Sequence, residues 1–89
     1  MRCVVSVLGK DRKGIVAKVA TVLYECDANI DDINQTLLSD TFSMTMLVTL
    51  NLEQADFNTV QAALDNAGKD LGLQIMLQRE DLFQSMYKI

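Results

Sequence analysis

The segment with the clearest chemical capacity is Gly9-Lys10-Asp11-Arg12-Lys13-Gly14, three basic side chains in a polar run bounded by glycines. It stands directly before an apolar-periodic stretch that begins at Ile15, so it leads into a helix N-terminus. A helix start presents backbone N–H groups without intrahelical partners and a partial positive charge. Basic side chains beside such donors, with glycines that let backbone approach a ligand, suit a small anion such as a carboxylate. A solvated loop whose glycines only serve its turns is the plainer reading of the same residues. The run lacks the Gly-Lys-Ser/Thr ending of a nucleotide-hydrolase phosphate loop, which removes that chemistry.

Few other residues offer chemistry. Histidine is absent, and with it the commonest general base and metal ligand. Cys3 and Cys26 make no C-x-x-C pair and no zinc-type cluster; they read as two buried thiols rather than a disulfide. Asp31 and Asp32 are neighbours in an expected strand, where adjacent side chains point to opposite faces. They read as charges guarding a sheet edge, not as one acid pair. The methionines at 44, 46, 76 and 86 read as core filler, and Asp65 with Lys69 as a helix-surface pair. No catalytic set, no metal site and no cofactor is expected.

Charge and composition narrow the classes further. A net charge of −4 has the wrong sign for a general nucleic-acid binder, which needs many Lys and Arg to displace counterions. No apolar run is long enough to predict a membrane span, and the N-terminus carries no secretion signal, so the expected location is the cytoplasm. The 89 residues, 49% of them apolar, are expected to form one domain, residues 1–89, with a thin core.

The elements that must position the loop follow from periodicity. Arg2–Leu8 is β-rich and apolar on both faces, as a central strand should be. From Ile15 the period becomes helical, with Ile15, Val19, Val22, Leu23 and Cys26 on one stripe and a stop near Asp27. Ile30–Leu38 reads as a polar edge strand, turning at Ser39, Asp40 and Thr41. The next strand sets Phe42, Met44, Met46, Val48 and Leu50 against outward Ser43, Thr45, Leu47 and Thr49, making a hairpin. Asp56 is an expected N-cap for a helix carrying Phe57, Val60, Leu64, Ala67 and Leu71, and Gly72 is placed to end it. Leu73, Ile75 and Leu77 then alternate with Gln74, Met76 and Gln78. Asp81 with Gln84 resembles a capping box for a short last helix bearing Leu82, Phe83, Met86 and Tyr87.

The order is βαββαβ plus a terminal helical turn. With right-handed crossovers it makes an α+β, ferredoxin-like plait: a four-stranded antiparallel sheet with two helices on one face. The other face is left bare, carrying Val4, Ser6, Leu8, Thr45, Leu47, Gln74, Met76 and Gln78. A half-apolar face of this kind needs a cover, either a second subunit or the chain's own tail.

The run Gly9-Lys10-Asp11-Arg12-Lys13-Gly14-Ile15-Val16, with Ala28-Asn29-Ile30 one helix later, resembles the signature of ACT domains. These are ferredoxin-like modules that bind amino acids and regulate amino-acid metabolism. The Asp-Asp-Ile-x-Gln-Thr run at 31–36, Phe42-x-Met44 and the Met86-Tyr87-Lys88-Ile89 ending resemble a narrower group of small stand-alone ACT proteins, related to the ACT modules of the glycine cleavage system regulator. By position, Asp11, Gly14 and Ile15 match the Asp-x-x-Gly-[Ile/Leu] core, and Asn29 matches the Asn that opens strand two. The resemblance implies that these two places lie on opposite sides of a subunit interface and enclose an amino acid. Lys13 stands where the family often has Pro, and Asp27 where it has a helix-ending glycine.

The resulting expectation is a non-enzymatic regulatory module, amino-acid-binding and acting as a homodimer or higher homo-oligomer, in control of amino-acid metabolism. Its ligand contacts are expected from Lys10, Asp11, Arg12, Lys13, Gly14, Ile15 and Asn29. The alternative is a ligand-free module that regulates a partner enzyme or regulator by protein–protein contact. An RNA-recognition surface is not expected, because the outward residues of strand three offer no aromatic platform.

Overall fold

The computed structural model describes residues 1–81, apart from the side chain of Leu38. Six elements follow in the expected order: β1 (Arg2–Lys10), α1 (Ile15–Glu25), β2 (Asn29–Leu38), β3 (Thr41–Thr49), α2 (Phe57–Leu71) and β4 (Gln74–Arg79). The sheet runs β2-β3-β1-β4 with every neighbouring pair antiparallel. This is the ferredoxin-like plait.

Its core is the product of two periodicities meeting. Alternation along β1, β3 and β4 turns Cys3, Val5, Val7, Met44, Met46, Val48, Ile75 and Leu77 to one side. The 3.6-residue period of the helices lays Ile15, Val19 and Leu23 of α1 and Val60, Leu64 and Ala67 of α2 onto them. Burying a Leu, Val or Met side chain contributes roughly 1.5–3 kcal/mol, so this one interlayer holds the plait together. Val22 and Cys26, placed on the α1 stripe by sequence, are only partly buried.

The ends of the helices are set by local chemistry. The Asp56 carboxylate accepts the Thr59 N–H at 2.8 Å and so caps α2, and Gly72 closes that helix at φ 69°. After α1, Asp27 takes the left-handed turn at φ 59°, a conformation Asp reaches more readily than most residues. Asn51 Nδ2 donates to the Asp27 carboxylate at 2.7 Å.

Two boundaries differ from the sequence reading. β1 runs two residues further, so Gly9 and Lys10 are ladder residues paired with Phe42 and Thr41, not loop. Gly9 makes a close approach: a Cβ there would stand 2.4 Å from Leu73 Cδ2, so the leucine side chain would have to move. β2 opens at Asn29, and its pairing with β3 skips a residue between Ile30 and Asp32. The alternation argument for Asp31 and Asp32 fails at that bulge. On the bare face, Val4 is only 5% exposed whereas Leu8 and Met76 are 48% and 55% exposed. The chain is helical again at Glu80 and Asp81; the expected terminal stripe of Leu82, Phe83, Met86 and Tyr87 lies outside the described residues.

Candidate functional site

The basic loop is shortened by the growth of β1 to the four residues Asp11–Gly14, and it is held from two sides. Asp11 N–H donates to the Asp40 carbonyl at 2.9 Å, which ties the loop to the β2–β3 hairpin. Arg12 Nη1 donates to the Leu71 carbonyl at 3.3 Å, where the C-terminal carbonyls of α2 favour a cation. A shallow cleft lined by Lys10, Asp11, Arg12, Leu71 and Gly72 lies between.

At the start of α1, Gly14 occupies the N-cap position at φ 85°, and no side chain caps the helix. Serine, threonine or aspartate would usually take a helix-start N–H there; glycine leaves those donors to solvent or a ligand. Its two chain neighbours aside, no atom among the described residues lies within 4 Å of where a Gly14 Cβ would be, so the space on that side of the helix start is open. Lys13 is exposed beside it. Ile15 is 2% exposed and belongs to the core, so its side chain anchors the start of α1 and offers no surface contact.

Asn29 is nowhere near this loop within the chain. It pairs with Thr49, which pairs with Arg2 at the start of β1, whereas the loop follows the other end of that strand. Eight steps along β1 at about 3.3 Å each put the two places roughly 26 Å apart. One protomer therefore holds the two halves of the expected site at opposite ends of its sheet.

The Asn29 end carries a polar network that sequence reasoning missed. Asn29 Nδ2 donates to Asp31 Oδ1 at 2.6 Å, and Thr49 Oγ1 donates to Asp31 Oδ2 at 2.5 Å. Arg2 Nε stands 3.8 Å from both the Asp31 and the Glu80 carboxylates. The hydrogen bonds from Thr49 and Asn29 hold the Asp31 carboxyl below the usual carboxylate range. Asp32 is occupied separately, its Oδ1 accepting the Ile33 N–H at 2.9 Å. Asp31 sits in the bulge and Asp32 pairs with Leu47 just beyond it, and no residue-type pattern at 29–32 announces that irregularity.

A family model for the ACT domain matches residues 2–78. The chain belongs to the ACT domain family. It is 48% identical over 88 residues to a UPF0237 protein of Methanocaldococcus jannaschii, covering 99% of this chain and 98% of that one. An ACT domain protein from Streptococcus pneumoniae superposes with a TM-score of 0.81 at 36% identity, covering 94% of each chain. A glycine cleavage system transcriptional repressor shares the fold, with a TM-score of 0.77 at 23% identity over 86% of this chain and 44% of that one. This ACT domain is thus a regulatory module by family.

Proposed function

We propose that this ACT domain senses a free amino acid as a homodimer, without catalysing a reaction, and passes its state to amino-acid metabolism. The observation that carries the reading is the uncapped start of α1: Gly14 in the left-handed region, no side-chain cap, and open space above it. A carboxylate fits there, received by backbone N–H groups from Arg12 to Ile15, with Lys10 or Lys13 supplying counter-charge.

The ammonium end needs acceptors, and the separation of Asn29 from the loop argues that they come from a second copy. The two edges of the sheet are not equivalent. On β4, Gln61 Oε1 reaches from α2 to take the Leu77 N–H at 3.2 Å, so that edge is guarded. On β2, residues 29–37 are all exposed, and Ile30, Ile33 and Leu37 are 36%, 38% and 57% exposed although they pair with the inward Val48, Met46 and Phe42. An unpaired edge with apolar side chains left uncovered is a template for another strand. The bond from the Ile33 N–H to Asp32 is a one-residue contact that a partner strand can displace. A two-fold axis beside β2 pairs the strands antiparallel. Asn29 of one subunit then meets the hairpin corner of the other, the corner to which Asp11 is tied.

The test is a thermal-shift screen against the twenty amino acids, followed by calorimetry on any that raises the melting temperature. One amino acid bound per subunit, lost in Gly14→Val and weakened in Asn29→Ala, is expected. A flat screen on folded protein rejects amino-acid sensing and leaves the protein-contact reading, for which the exposed Leu8 and Met76 offer a surface.

A further inference from the structure

We infer that Asp31 is a positioning residue for the ammonium end of the ligand: it fixes the Asn29 amide with its oxygen outward and makes the site selective for amino acids over plain carboxylic acids. The inference rests on the amino-acid-binding reading and deepens it.

An ionised carboxylate can only accept hydrogen bonds. The 2.6 Å contact between Asn29 and Asp31 must therefore use the NH₂ side of the amide. That choice sends Asn29 Oδ1, the acceptor an ammonium needs, to the far side. Free rotation would present either end of the amide, and the NH₂ end repels a cation. Asp31 can impose the choice because it is itself fixed. Thr49, the ladder partner of Asn29, holds its second oxygen at 2.5 Å, and Arg2 flanks it at 3.8 Å.

The bulge is the device that makes this possible. Ile30 faces Val48 and Asp32 faces Leu47, so Asp31 has no ladder partner of its own. Extra residues of this kind commonly re-aim a side chain beside a functional site. Here the freed carboxylate turns back onto Asn29 and Thr49. Its negative charge also lies one hydrogen bond behind the acceptor, where it favours an ammonium and gives a neutral group nothing. The depressed carboxyl pKa keeps that charge in place throughout the neutral range.

The experiment compares two probes by calorimetry: the amino acid selected by the screen, and the same molecule without its α-amino group. Asp31→Ala is expected to weaken the amino acid at least tenfold while changing the des-amino acid less than twofold. Asp31→Asn, which keeps an acceptor but not the charge, should fall between. Thr49→Val should shift the same ratio in the same direction, and it serves if Asp31→Ala does not fold. In the unliganded protein the Asn29 side-chain amide resonances should move as Asp31 is protonated, and that movement should vanish in Asp31→Asn. Equal losses for both probes, or amide resonances indifferent to Asp31, would overturn the inference by reducing Asp31 to a structural role. A wild type that binds no amino acid removes the reading beneath it, a result distinct from a wild type and an Asp31→Ala variant that bind alike.

Discussion

Gly14 shows how one residue can matter twice. At φ 85° any other side chain is strained, at a cost of roughly 1–2 kcal/mol for an ordinary L-residue and more for a β-branched one. The space above it is open, so the protein itself does not forbid a larger residue. Gly14→Val should therefore stay folded with a lower urea midpoint yet lose the ligand, whose path the valine obstructs. Binding unchanged in a dimeric Gly14→Val protein would put the site elsewhere. The thiols are a quieter case. Burial pushes both Cys3 and Cys26 above the ordinary thiol range, and both are free. Cys3 is fully buried and Cys26 is not, so a thiol reagent should label Cys26 first and Cys3 only on unfolding. At this scale the sequence was informative about Gly14, because glycine before an apolar helix has few explanations. It was silent about Asp31, because a bulge depends on pairing between strands and not on the residues of one strand.

Among the elements, α2 packs closely against the turn into β4, where Gly68 faces Leu73 and Ile75. A Cβ on Gly68 would stand 2.8 Å from the Leu73 carbonyl oxygen, a backbone atom that cannot rotate away. Alanine gains up to about 1 kcal/mol over glycine inside a helix, whereas overpacking of this sort costs about 1–3 kcal/mol. Gly68→Ala should consequently lower the melting temperature, and a rise would show that β4 shifts freely. The cap of α2 makes a pH prediction. Thr59 holds the Asp56 carboxyl below its usual range, so the folded state binds that proton less readily than the unfolded chain. Its stabilisation is present at neutral pH and is lost as pH falls through the lowered value. Asp56→Ala should melt lower than the parent at pH 7, with the gap closing in acid. Strand and helix identities were legible because period 2 and period 3.6 are distinct here. The two-residue extension of β1 was not, since Gly9 looks like a turn residue until Leu73 is seen against it.

For the whole molecule, the unequal edges bear on the proposed assembly. With β4 guarded by Gln61 and β2 open, two copies can join through one edge each and then stop, so light scattering should report a dimer. Gln61→Leu removes the guard, and the Leu77 amide should then exchange faster with solvent; unchanged exchange would show that the edge is protected by something other than Gln61. The plait and its bare face were readable from the order of elements, but the distance between the loop and Asn29 emerges only once β1 is laid out at full length. That distance has a genetic consequence. Because each pocket of a pair would draw its loop from one chain and its asparagine from the other, two defective alleles can repair each other. A mixed dimer of Gly14→Val and Asn29→Ala subunits carries both lesions in one pocket and neither in its twin. Co-expressed, the two variants should regain binding of parental affinity at one molecule per mixed dimer, where Gly14→Val alone shows none and Asn29→Ala alone binds only weakly.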